Sequence, residues 1–426
     1  MNRNAIDRRS FLKGSAAVTA FGIADMPEAA AISPAAPSVM QGNPDVAVVG
    51  AGAFGAWTSL VLRERGFKVV MIDEYGPASP RASSGGETRS IRAGYGSKAL
   101  YSQWAIKALP MWEARQREFN RQIIFPNERI EFATEMIPFL VEQKAVFDKF
   151  NIPYEILNQA EMRRRFPMMN FDDVQVGFLE KKTSAVLMAR ESILAVADAF
   201  RKKGGIFQMA TAMPGTASGR TLQTLKLNQG GSVSATQFVF ACGPWLRMVF
   251  PEMLGQKIAT PRREVFFFGT PPGDDRFSWP NMPSWHDHHR GGYGFPSIER
   301  GLKYSPPGGG LIQQDPDMEE RVASAYWMKR GHDYIDMRFP GMKAQPIVET
   351  RVCQTEDTTD GNFLIDKHPS FDNVWIAGGG SGHGFKHGPL LGEYIADRVT
   401  GKATDPATEK IFQLAGRGDY PPAPSE

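Results

Sequence analysis

Little in this chain would commit it to a metal, a disulfide framework or a bilayer. Of its 426 residues only two are cysteines, Cys242 and Cys353, and seven are histidines. Two cysteines build no framework, and neither a CxxC pair nor a Cys/His ligand spacing occurs. One bridge between Cys242 and Cys353 stays open on the sequence. Charge of a single sign is scarce as well. Forty-nine Lys and Arg against 46 Asp and Glu leave +3, with no clustered basic face for nucleic acid. No apolar run reaches the ~20 residues that span a bilayer, so stable membrane insertion is not expected. Internal repeats are absent, and bias is confined to the N-terminal tail. What remains is the profile of a globular protein, 42% hydrophobic and 22% charged, long enough for two or three domains of ~100–200 residues.

The N-terminus carries Arg8-Arg9-Ser10-Phe11-Leu12-Lys13, a weakly apolar run over 14–24, then Pro27 and Ala29-Ala30-Ala31. This order resembles a twin-arginine export signal with small residues suited to cleavage. That route carries folded proteins, which suits a chain that must acquire a cofactor first. The expectation is a signal and linker over 1–43, the export machinery as a partner, and a periplasmic or secreted product.

Past the tail, Asp45-Val46-Ala47-Val48-Val49 reads as a strand. Gly50-Ala51-Gly52-Ala53-Phe54-Gly55 follows, then a helix over 56–65 and a second strand over 67–72 that ends at Asp73. In this GxGxxG pattern Gly50 permits the tight turn. Gly52 lets backbone approach a pyrophosphate, and Gly55 lets helix and strand pack closely. The helix N-terminus adds N–H groups and partial positive charge. Asp73 falls 18 residues after Gly55, where a carboxylate accepts from ribose hydroxyls. With a strand before it, a helix behind it and an acid at this distance, the turn reads as a dinucleotide site.

The next loop separates FAD from NAD. Arg81-Ala82-Ser83-Ser84-Gly85-Gly86-Glu87-Thr88-Arg89-Ser90-Ile91-Arg92 is polar and arginine-bearing. A flavin needs such a bed after the second strand; NAD has no standing need of one. Cofactor contacts are expected from Thr88 and Arg89.

Three further segments carry chemistry. Cys353 lies in the polar stretch Arg351-Val352-Cys353-Gln354-Thr355-Glu356-Asp357, where a thiolate could attack a flavin methyl carbon with Arg351 lowering its pKa. A small buried hydrophobe is the other reading of a lone cysteine. Gly380-Ser381-Gly382-His383-Gly384-Phe385-Lys386-His387-Gly388-Pro389 is a glycine-rich turn entering a helix over 389–399. Its N–H groups would favour an anionic reduced ring, with Gly382, Gly384 and Phe385 at the cofactor. Lys303 follows the aromatic run that begins at Tyr293, where an inward-pointing ammonium is conceivable, but on the residues alone it reads as an ordinary solvated lysine. Two histidine groups invite a metal, and both read otherwise. Glycines interrupt His383 and His387. His286, His288 and His289, beside Gly291-Gly292, read as a loop. No metal site is expected.

These residues resemble the D-amino-acid-oxidase type of flavoprotein, in the branch of sarcosine, N-methyltryptophan, fructosyl-amino-acid and pipecolate oxidases. The carriers are VVGAGAFG at 48–55, ETRSIR at 87–92, YGFPS at 293–297 with GLK at 301–303, and CQTEDTTDGNFLIDKHP at 353–369 with NVWIAGGGSGHGFKHGP at 373–389. The resemblance spans residues 45–405. It implies FAD carried on Cys353 by a thioether, Arg89 against the flavin, and Lys303 over its face promoting reaction with O₂. It also implies Arg92 and Lys386 on a substrate carboxylate, and oxidation of an amine C–N bond to an imine with release of H₂O₂. The branch has histidine where this chain has Pro307 and Gly85, and tyrosine where it has Thr355. These departures point away from sarcosine. Lost bulk at Gly85 and Thr355 would suit a larger amine.

Dinucleotide-type elements recur at the start, middle and end of the chain, with aromatic strand-rich pieces between. The expected class is α/β, a Rossmann-like FAD-binding domain (44–105, 185–260 and 350–405) interleaved with an α+β substrate domain on a large mixed sheet (106–184 and 261–349). A tail over 406–426 completes it. Helices are expected over 101–119, 160–166 and 187–202, and a strand over 222–227. Two other functions share the cofactor motif: a dehydrogenase passing electrons to a quinone or carrier, and a flavin-binding protein without turnover.

Overall fold

The computed structural model describes residues 43–308, 315–318 and 320–421. The segment read above as an export signal lies outside them. Among the described residues no helix is long and apolar enough to cross a membrane.

Two sheets organise the chain. The first has six strands, in the order Leu364–Lys367, Val374–Gly378, Gln237–Phe240, Val46–Val49, Val69–Asp73 and Ile206–Met209. Neighbours run parallel except the first pair. Its central strands are largely apolar because both faces are covered. Val46, Val48 and Met71 pack under the helices Ala53–Glu64, Ala189–Lys202 and Gly388–Val399. Ala47, Val49, Val70 and Ile72 turn to the opposite side, toward Leu225 and Leu227 of a small antiparallel sheet. Period-two alternation thus sends consecutive residues into separate cores.

The second sheet has eight strands, in the order Ile347–Gln354, Arg262–Phe268, Leu302–Ser305, Tyr293–Phe295, Ser284–Asp287, Arg129–Ala133, Val176–Glu180 and Tyr154–Asn158. It is mixed: the pair Ser284–Asp287 with Arg129–Ala133 is parallel and the other pairs are antiparallel. One face is a dry core in which Phe132, Trp285, Phe266 and Leu302 pack with Ile335 and Tyr334 of the helix Ala325–Arg338. The other face carries Arg129, Glu131, His286, Phe295, Lys303, Arg263 and Cys353, all lining one cavity. Strands of the two sheets alternate along the sequence, so the α/β class with an interleaved mixed-sheet unit is what the chain adopts.

Several local expectations need correction. The helix expected over 187–202 starts later: Ala185–Met188 is a strand and Ala189–Lys202 the helix. The apolar strand runs straight into the amphipathic helix with no Gly or Pro between them, so periodicity over so short a run cannot find the junction. The strand expected over 222–227 is two pieces, Thr221–Leu222 and Thr224–Leu227. His286 is not in a loop; it lies within the strand Ser284–Asp287. Cys242 and Cys353 are both free thiols.

Candidate active site

A cavity of about 850 Å³ lies where the glycine turn of the first sheet meets the charged face of the second. Its first wall is backbone. Gly50 has φ of +109°, and a Cβ there would stand 2.2 Å from the Ala241 carbonyl oxygen. A Cβ on Gly55 would stand 2.0 Å from the Gly50 carbonyl oxygen. Both positions therefore exclude every other residue, one by conformation and one by contact. Gly52 and Ala53 line the cavity at the N-terminus of the helix Ala53–Glu64, which suits an anion.

Asp73 lines the same wall. Its Oδ2 accepts from Ala51 N–H at 2.7 Å, and its Oδ1 from Tyr75 and Gly76 N–H at 2.9 and 2.7 Å. Burial raises its pKa, against the three N–H groups. The carboxylate thus staples the glycine turn to the second strand, a job beyond the ribose contact expected of it. Ser84 from the arginine loop closes the wall, its Oγ accepting from Ala53 N–H at 3.0 Å. A Cβ-free turn, a helix N-terminus and an acid at the second strand's end fit a dinucleotide.

The C-terminal glycine turn forms the next wall, with Gly380, Gly382, Gly384 and Phe385 all lining the cavity. The helix itself starts at Gly388, after a tight turn over Phe385–His387. Glu356, beside this turn, was not singled out by sequence. Its Oε1 accepts from Gly380 N–H at 3.4 Å, its buried Oε2 has no partner, and burial pushes the carboxyl up to about 8.

Lys303 is buried in the sheet, and its Nζ donates to the Thr88 carbonyl at 2.8 Å and to Thr88 Oγ1 at 3.1 Å. Thr88, expected at the cofactor, is instead buried behind Lys303, where it fixes that ammonium. Burial pushes Lys303 down to about 7, with Arg89 adding to it and Glu87 opposing. Burial likewise raises Glu87, whose Oε1 lacks a partner. Desolvation drives both toward neutrality while their attraction resists. Arg89 lines the cavity and donates to the Thr88 carbonyl at 2.7 Å. Cys353 lines it too, on the strand paired with Arg263.

Arg92 and Lys386 come from elements almost 300 residues apart and meet around Tyr95. The Arg92 guanidinium stacks 4.4 Å from the Tyr95 ring centroid, and its buried Nη1 has no hydrogen-bond partner. Lys386 Nζ donates to Tyr95 Oη at 3.0 Å and to the His383 carbonyl at 3.1 Å. Burial and the nearby Arg92, Arg129 and Arg89 depress the Lys386 pKa strongly. Donors in excess of acceptors at one cavity end suit a carboxylate.

His383 and His387 are structural. His383 Nε2 lies 2.9 Å from the Gly361 carbonyl and His387 Nε2 lies 2.9 Å from Tyr95 Oη. The other histidine group is different. His286 and His288 gather with Glu131 on the cavity wall, where His288 Nε2 lies within hydrogen-bonding range of both His286 Nδ1 and Glu131 Oε2. Sequence reading missed Arg129 and Glu131 altogether, though Arg-x-Glu on a strand places both on one face. Gly85 also needs correction. A Cβ there would lie 1.8 Å from the Ser79 carbonyl oxygen, and Gly85 does not line the cavity, so its small size opens no room for a larger substrate. Thr355 and Pro307 do line it.

Comparison with known proteins agrees with this geometry. Over 368 residues the chain is 28% identical to the monomeric sarcosine oxidase of Arthrobacter sp. (strain TE1826), covering 84% of this chain and 93% of that one. It is also 28% identical over 372 residues to the N-methyl-L-tryptophan oxidase of Citrobacter koseri, covering 84% and 95%. In fold it is similar to fructosamine oxidase (Amadoriase II) of Aspergillus fumigatus, with a TM-score of 0.76, 20% identity, and 88% and 91% of the two chains covered. The model of the FAD dependent oxidoreductase family, DAO, matches residues 45–398, from the first strand to the last helix of the six-stranded sheet unit, and the chain belongs to that family.

Proposed function

We propose that this chain oxidises a secondary amine or N-substituted amino acid to an imine, with O₂ as the final acceptor and H₂O₂ as product. The observation that carries the reading is the placement of Arg92 and Lys386 at one cavity with buried Lys303. Bound FAD would supply the acceptor for a hydride, which carries the two electrons of the oxidation. The protein's own residues do the rest.

Arg92, with an unsatisfied buried Nη1, and Lys386 bind the substrate carboxylate and so fix which C–H bond is presented. Tyr95 holds the two cations in register. Arg89, Arg92, Arg129 and Lys386 together disfavour a further positive charge on the substrate amine, so the amine binds best unprotonated, and no strong general base is needed. Lys303, fixed by two Thr88 oxygens, holds positive charge where reduced oxygen develops negative charge. Cys353 is assigned the covalent link to FAD. The sarcosine and N-methyltryptophan oxidases named above act on N-methyl amino acids by name, which supports this substrate class.

The experiment is aerobic turnover of the purified protein with N-methyl, cyclic and glycated amino acids, reading H₂O₂ and product. Stoichiometric H₂O₂ is expected from one class. Dye reduction without H₂O₂ would move the reading to an amine dehydrogenase with a quinone or carrier acceptor. Flavin that stays in the acid precipitate of wild type and of Cys242→Ala, and leaves it in Cys353→Ala, is the expected mark of the covalent link. Export through Arg8 and Arg9 belongs to the same proposal: with both changed to Lys, the protein is expected to stay inside the cell.

A further inference from the structure

Three atoms on the cavity wall outside the amine machinery form a triangle. His286 Nδ1 lies 3.2 Å from His288 Nε2, His288 Nε2 lies 2.8 Å from Glu131 Oε2, and Glu131 Oε2 lies 3.7 Å from His286 Nδ1. The same three atoms close every edge. We propose that Glu131, His286 and His288 form a binding site for a divalent cation of the zinc class, open toward the cavity on its fourth side.

Backbone register builds this cluster. Glu131 and His286 are direct partners across the parallel pair of strands Arg129–Ala133 and Ser284–Asp287, so their side chains stand together on one sheet face. His288 follows His286 by two residues, and its N–H bonds to the Phe132 carbonyl at 2.9 Å, which carries the alternation one step past the strand. Asp287, between them, points the other way, to Arg338 Nη2 at 2.8 Å. His-x-His on one strand facing Glu on its neighbour is thus a three-ligand set held by secondary structure.

The dimensions suit the ion. Zinc takes His nitrogen at ~2.0–2.1 Å and carboxylate oxygen at ~2.0–2.2 Å in tetrahedral order, which requires ligand atoms about 3.3 Å apart. The observed edges straddle that value. The second oxygen of Glu131 is held separately, with Gln143 Nε2 at 3.5 Å and Arg129 Nε at 3.6 Å from Oε1. Oε1 is therefore oriented by neighbours while Oε2 faces the imidazoles, the outer support that metal-bound carboxylates have. Arg129 approaches only the far oxygen, so the carboxylate lies between the guanidinium and the ion. All three residues line the cavity, and Arg92 opens onto the same space. The fourth position faces the cavity, from which it would take a water, carboxylate or amine donor. The two-His-one-carboxylate composition also accepts other first-row divalent ions, so the named probe is Zn²⁺ alone.

The site stands on its own geometry and does not depend on amine oxidation. The test uses FAD-loaded protein stripped by a chelator and dialysed against Zn²⁺, with bound metal and flavin measured on the same sample. One equivalent of Zn²⁺ is expected. His286→Gln and His288→Ala should lose it while flavin content stays that of the parent. His286 has a side chain 33% exposed, so its replacement spares the fold. Gln143→Leu should weaken Zn²⁺ binding by roughly 10–100-fold. No stoichiometric Zn²⁺ in the parent, or the same Zn²⁺ in both histidine variants as in the parent, overturns the site and leaves the cluster a chain of hydrogen bonds.

Discussion

The two walls of the cavity are built from opposite materials. The glycine-turn wall is backbone: Gly50, Gly52, Ala53 and the turn from Gly380 to Gly384 offer N–H groups and absent side chains. The sheet wall is side chain: Lys303, Arg129, Glu131, His286 and Cys353 project from alternating positions of neighbouring strands. At Gly50 and Gly55 the backbone wall has one solution, because an added Cβ collides with a carbonyl oxygen. A side-chain wall can be re-dressed without moving a strand. The chain's departures from the sarcosine-oxidase pattern that reach the cavity are Pro307 and Thr355, the latter with Cγ2 4.0 Å from where a Cβ on Gly382 would stand. The two walls thus tolerate change unequally within one cavity.

That contrast can be broken first at the backbone wall. Gly55→Val would drive a Cβ to 2.0 Å from the Gly50 carbonyl oxygen. It is expected to yield protein without FAD, or none that folds, read by flavin absorbance per chain. Retained flavin at parental levels would show that the turn yields. On the sheet wall, away from Cys353, a substitution should spare the cofactor. Lys303→Met is expected to keep FAD and slow the reaction of reduced protein with O₂ by about 10²–10³-fold, the usual cost of one preorganised donor. Reduction by amine should be nearly unaffected. Arg92→Ala should cost roughly 10–100-fold in kcat/KM, as a charged hydrogen bond of ~1.5–3 kcal/mol is lost. The loss should be far smaller for a substrate lacking the carboxylate.

The smallest effect is in pH, and its sign divides the two half-reactions. Burial lowers Lys303 from the ordinary lysine value to about 7, so its ammonium is complete below that pH and fades above it. Reaction with O₂ is expected to slow as pH rises through about 7, and Lys303→Met should flatten that profile. Reduction by amine should run the other way, rising as the free amine deprotonates. Parallel profiles for the two half-reactions, measured by stopped flow, would contradict the assignment.

Legibility in the sequence follows the same division. Gly50, Gly52, Gly55 and Asp73 are close in the chain, and their spacing carries the strand, turn and helix. The sheet wall is assembled by register. Nothing near Glu131 announces that a strand over 150 residues later will set His286 beside it. The one local signal was His-x-His, obscured by a strand of only four residues before Gly291 and Gly292. Thr88 was placed correctly in sequence and wrongly in role, since a β-strand sends Thr88 and Arg89 to opposite faces. Gly85 misled for the same reason: a missing side chain marks space only where the cavity is.

The most direct test of the account is the anaerobic absorbance of the flavin during titration with N-methyl and cyclic amino acids and with their decarboxylated counterparts. The account predicts that the visible band bleaches with one class of amino acid, and with its decarboxylated counterpart only at much higher concentration. A flavin that dithionite reduces and none of these amines does would contradict it.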